Sequence, residues 1–164
     1  MKNAKGFMRR RGLHEGGFTM IELIVVIVIL GVLAATALPK FINLSADARA
    51  AAVGGMRASL SAASDLIRAK CIVTPSCNST AGGSTVTVNG VSYAMYNGWL
   101  DAGDVGLNEI DKAITYDGFT LELLPMVHRF KLDGAKNPSA CYAQYQEVSV
   151  PGEAPVISVD VSGC

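Results

Sequence analysis

One carboxylate in this chain stands where a carboxylate is costly. Glu22 lies near the start of the run Phe18 to Leu38, in which only Thr19, Glu22, Gly31 and Thr36 interrupt the apolar residues. A lone charge in a membrane-spanning helix costs on the order of 3 kcal/mol, so Glu22 should have a role or a partner. Immediately upstream, the small pair Gly16-Gly17 separates the apolar run from a basic segment. An ordinary secretory signal puts its cleavage site after the apolar run and is discarded. Cleavage after Gly17 would instead keep the run in the mature chain.

The remaining reactive side chains are few. Cys71, Cys77, Cys141 and Cys164 show no Cys-x-x-Cys spacing, and the two histidines, His14 and His128, lie far from any cysteine in the chain. Zinc binding and thiol redox catalysis are not expected. There is no nucleophile-elbow sequence, no Walker-type glycine loop and no metal-ligand cluster, so we expect neither an enzyme nor a cofactor. His128, beside Arg129, is read as a surface histidine. Asp101, Asp104 and Asn108 match no EF-hand spacing and are read as solvated loop residues, with no metal expected.

The elements that position Glu22 follow from periodicity. As a helix, Phe18 to Leu38 would be roughly 31 Å long, matching a hydrocarbon layer of about 30 Å. Residues 1–17 hold five Lys/Arg against one Asp/Glu, or +4, and the remainder nine against thirteen, or −4. Basic residues directly before an apolar span predict that residues 1–17 stay cytoplasmic and that everything after Leu38 lies on the other side. No second basic cluster supports nucleic-acid binding. On the far side disulfides persist. Four cysteines permit three connectivities, of which we favour Cys71–Cys77 and Cys141–Cys164, pairing neighbours in the chain.

Past Pro39 the pattern turns amphipathic, with Phe41, Leu44, Ala48, Ala52, Met56, Leu60, Ala63 and Ile67 at three- and four-residue steps. Residues 40–70 should therefore pack on a globular head. Pro39 predicts a bend or an opened turn between the two halves of the helix, and Gly54-Gly55 predicts flexibility or close packing. Residues 71–83 read as loop. Thr85–Val88, Asn89-Gly90 and Val91–Tyr96 carry the signature of a hairpin with a type I′ turn, and Asn97-Gly98 is read as the end of its second strand. A short helix is expected over Leu107–Ile114 with Asn108 as a possible cap. Strands are expected at Phe119–Leu124, Arg129–Leu132, Cys141–Val150 and Val156–Val161. The class is α+β, with one antiparallel sheet lying on the helix stripe.

Gly17-Phe18-Thr19-Met20-Ile21-Glu22, the following apolar residues and Pro39 together resemble the N-terminus of type IV prepilins. The stretch Val28 to Leu44, followed by Asp47-Ala48-Arg49, looks most like the major pilins of mannose-sensitive haemagglutinin (MSHA) pili, as do the Asn-Gly hairpin and the terminal Ser162-Gly163-Cys164. The resemblance implies four segments: a leader 1–17, an apolar half-helix 18–39, an amphipathic half-helix 40–70, and a head 71–164 whose Cys141–Cys164 region looks like the pilin D-region. It implies that a prepilin peptidase cuts between Gly17 and Phe18 and methylates the Phe18 amine. Glu22 would pair with that amine, in its own subunit or a neighbour's, as subunits leave the inner membrane through a pilus assembly platform and form a helical homopolymer. Gly31 and Pro39 would let the span between them lose helical hydrogen bonds. The implied function is a surface filament for attachment to host or abiotic surfaces. The alternatives are a type II secretion pseudopilin and a minor tip pilin binding DNA or a receptor.

Overall fold

In the computed structural model, residues 17–78, 80, 83–103, 109–147 and 149–164 are described, those of 38–43 by backbone alone. Residues 1–16 of the leader 1–17, Asp104 and Asn108 therefore lie outside the described residues, as does the side chain of Phe41. The chain forms two compact units, Met1–Phe41 and Ile42–Cys164. A single helix, α1 (Met20–Ile72), supplies the body of the first and the opening element of the second.

In the first unit, an 18-residue window from Met20 to Ala37 has a mean hydropathy of 2.7 and none of it is buried within the chain. Its leucines, isoleucines and valines all face outward. By length and composition this segment can cross a bilayer. The bend expected at Pro39 falls among the residues described by backbone alone, where the assignment continues as helix.

The second unit holds the core. From α1 it takes Val53, Met56, Leu60, Ser64, Ile67 and Cys71, all buried and spaced by three or four residues. Such spacing keeps them on one face of a helix. The expected stripe is corrected at its start: Leu44, Ala48 and Ala52 are exposed, and Val53 takes the inward place. Alanines bury too little surface to decide which way a helix rolls, whereas Val53, Leu60 and Ile67 do. Among the described residues, a side chain at Gly54 or Gly55 would meet nothing within 4 Å, so neither glycine serves close packing there.

Two antiparallel sheets, not one, cover this face. The first comprises β1 (Ser84–Val88), β2 (Val91–Tyr96) and β3 (Trp99–Leu100). Its hairpin turns at Asn89-Gly90, where both residues take positive φ, 50° and 83°. Asn97-Gly98 was expected to end the second strand; with φ of 52° and 79° it makes a second turn of the same kind and launches β3. The other sheet runs β4 (Phe119–Leu124), β5 (Val127–Leu132), β6 (Tyr142–Gln146) and β7 (Val156–Asp160) in chain order. Pro125 and Met126 form the tight turn between β4 and β5, since Leu124 pairs with Val127. β5 therefore begins two residues earlier than expected. The helix expected over Leu107–Ile114 is reduced, among its described residues, to a single 3-10 turn, Asp111–Ala113, whose N-terminal residue Ile110 makes no side-chain cap and is fully buried. Three residues without a capping side chain cannot sustain an α-helix against that anchor.

Two disulfides close the head: Cys71–Cys77 over a separation of 6 residues and Cys141–Cys164 over 23. The second works with backbone bonds from Asn137 N to Gly163 O (2.9 Å) and from Gly163 N to Ala140 O (2.8 Å). Arg49 of α1 donates to the carbonyl of Cys164 at 3.0 Å, fastening the same tail to the helix.

Candidate functional site

Gly17 and Phe18 precede the helix and belong to no regular element. Among the described residues nothing lies within 4 Å of where a Gly17 side chain would be, and Phe18 is 86% exposed. The helix begins immediately after because Thr19 and Glu22 cap it reciprocally. Glu22 N–H donates to the Thr19 hydroxyl (3.3 Å), while Thr19 N–H and O–H both donate to Glu22 Oε2 (2.9 and 2.8 Å). This is the Thr-x-x-Glu capping box, which satisfies backbone donors that a helix end leaves orphaned. One Glu22 oxygen is thereby satisfied within the chain, and the other, Oε1, takes no hydrogen bond among the described residues. Phe18, Ile21, Val25 and Val26 line a shallow apolar hollow with Glu22 at its edge. A cation arriving there meets a carboxylate already oriented by Thr19, with the apolar side chains of Phe18, Ile21, Val25 and Val26 beside it.

Farther along, Thr36 O–H donates back to Leu33 O at 2.9 Å. Gly31 has open space where a side chain would project. A glycine, a hydroxyl bonded to its own backbone and a proline thus share this stretch, and each weakens the regular ladder.

In the head the buried titratable groups are elsewhere than expected. His128 is 1% exposed, not on the surface. Its strand alternates, so with Arg129 and Lys131 outward, bonded to Glu122 at 3.2 and 3.3 Å, His128 and Phe130 must point inward. That parity was available in the sequence. Burial pushes His128 below the ordinary histidine range, against the opposing pull of Asp111 and Asp101. Asp101 is half-buried beside Glu147, not solvated. Glu147 went unnoticed in the sequence although it shares its inward parity with Ala143 and Tyr145. β6 ends at Gln146 because the next carboxylate turns in to accept the N–H of Ala102. Burial and the neighbouring Asp101 raise the Glu147 carboxyl to about 7. Among the described residues, no three His, Cys, Asp or Glu side chains gather closely enough to hold a metal ion.

Comparison with known proteins bears on the N-terminal part. The family model described as the prokaryotic N-terminal methylation motif matches residues 13–38, which contain Gly17, Phe18, Glu22 and Gly31. Over 73 residues the chain is 38% identical to the type IV narrow pilus major component PilA5 of Thermus thermophilus. That alignment covers 42% of this chain and 63% of the relative. No solved structure gives a significant match. The chain therefore carries a type IV pilin-like N-terminus on an α+β architecture of a long helix and antiparallel sheets.

Proposed function

We propose that this chain is a type IV pilus subunit, made as a single-span inner-membrane precursor and polymerised through α1 into a surface filament. The observation that carries this reading is the methylation-motif match over residues 13–38, on a segment whose apolar helix has no partner among the described residues. A prepilin peptidase cuts between Gly17 and Phe18 and methylates the new amine. That amine becomes the partner of Glu22, whose Oε1 is available while Thr19 holds Oε2. Pairing is what makes an ionised carboxylate tolerable in an apolar filament core. Charge decides the topology, with the basic leader held on the cytoplasmic side and the head exported. The resemblance of residues 28–49 to pilins of mannose-sensitive haemagglutinin pili supports a major subunit serving attachment. Gly31 and Pro39 allow the intervening turn to loosen during packing.

The test is mass spectrometry of filaments sheared from cells. This chain should be the most abundant component, beginning at a methylated Phe18. A precursor-length chain, or absence from the filaments, would refute the reading. Gly17→Ser should leave an uncleaved precursor in the inner membrane, checked by immunoblot of membrane fractions.

A further inference from the structure

Three hydrogen bonds stitch the end of the first sheet to the chain leaving β6. Tyr145 O–H donates to Leu100 O at 2.8 Å, Ala102 N–H donates to the Glu147 carboxylate, and Asn97 Nδ2 donates to Ser149 O at 3.2 Å. The strand side thus contributes every second residue, 145, 147 and 149, and the middle stitch is made by a carboxyl group. Glu147 is 95% buried, its exposure being 5%. Its carboxyl lies against that of Asp101, which accepts the Gly103 N–H at 2.8 Å. Their convergence is close: a point one Cβ away from Gly103 sits 3.3 Å from Asp101 Oδ1 and 3.7 Å from both Glu147 oxygens. Among the described residues no lysine or arginine pairs with either carboxylate. Two other buried titratable groups face the pair: Tyr145 of β6 feels both carboxylates, and His128 of β5 feels Asp101. Tyr96 of β2, Met126 and Ser149 complete a cleft of about 290 Å³ over the pair, through which a proton can reach solvent.

Two adjacent carboxylates without a cation cannot both stay ionised at low cost. We propose that Glu147 is a proton-held latch between the two sheets: while it holds a proton beside Asp101 the seam stays shut, and once it gives the proton to solvent its charge is repelled by the neighbouring carboxylate and the Asp101–Gly103 segment is freed. Among the described residues the seam then keeps its Tyr145 and Asn97 stitches, so opening is local and leaves the core in place.

Hydrogen exchange on the full-length protein in detergent tests this, with rates corrected for the intrinsic effect of pH. Between about pH 5 and about pH 8.5, protection at Ala102 and Gly103 should fall about tenfold or more, while Phe130 in β5 stays constant. Glu147→Gln, which keeps a neutral side chain of the same shape, should make Ala102 protection independent of pH, and Asp101→Asn should do the same by removing the repulsion. Constant protection in the wild type, or an undiminished pH dependence in both variants, would overturn the latch.

Discussion

Glu22 and Thr19 complete each other within one helical turn, so the charge that looked misplaced in the sequence is half-satisfied before any second molecule arrives. The sequence showed that Glu22 needs a partner and not that Thr19 is its first one, because the apolar run begins at Phe18 and makes Thr19 and Glu22 look like mere interruptions of it. Glu22→Ala should still be processed but should compete poorly for assembly when co-expressed with wild type; equal incorporation, counted by mass spectrometry, would remove the pairing role. His128 offers a stability test. Its folded-state pKa is depressed, so the unfolded chain takes up the proton first as pH falls through about 6.5. Stability from this group is complete above that pH and lost below it. Glu147 acts oppositely: its pKa is raised to about 7, so its contribution is full below the unfolded value of 4.5 and is lost as pH rises through the folded one. In a Glu147→Gln background, melting temperatures should therefore fall on the acid side, and His128→Leu should flatten that fall. Gly163 is required for space: a Cβ there would sit 2.5 Å from Asn137 O and 2.9 Å from Ala140 Cβ. Gly163→Ala should destabilise the head by about 1–3 kcal/mol, read from the denaturant midpoint.

At the scale of elements, periodicity located most of the fold. The helix, the Asn89-Gly90 hairpin and the strands β4 to β7 were legible, because three- or four-residue and two-residue repeats are strong where large apolar residues mark them. Errors gathered where small residues or turns decide. The stripe was misread at Leu44, Ala48 and Ala52, and β3 was missed because two residues carry no period. Asn97-Gly98 held the same turn signal as Asn89-Gly90 and was read only as a strand end. The corrected stripe makes a contrast: Leu60→Ala should cost about 2–5 kcal/mol, whereas Leu44→Ala, at an exposed site, should change the stability of the isolated subunit by less than about 0.5 kcal/mol. Comparable losses at both sites, measured by chemical denaturation in detergent, would restore the original stripe.

For the molecule as a whole, the sequence supported one sheet on one helix, and the structure divides it into two sheets joined by the Tyr145, Glu147 and Asn97 stitches. That division was not readable, since pairing between distant strands depends on packing and not on local pattern. The covalent closure can be weighed. In the chain-entropy picture, opening Cys141–Cys164 by a double serine substitution should cost about 3 kcal/mol, and opening the shorter Cys71–Cys77 loop about 2 kcal/mol. The face of α1 that carries Val53, Met56, Leu60 and Ile67 has a mechanical consequence. Tension applied along the helix axis loads these anchors in shear, all together, so the head resists being pulled off as a lap joint does. Tension across the axis would peel them one at a time. A filament strained along its subunit helices would load each head in its strong direction.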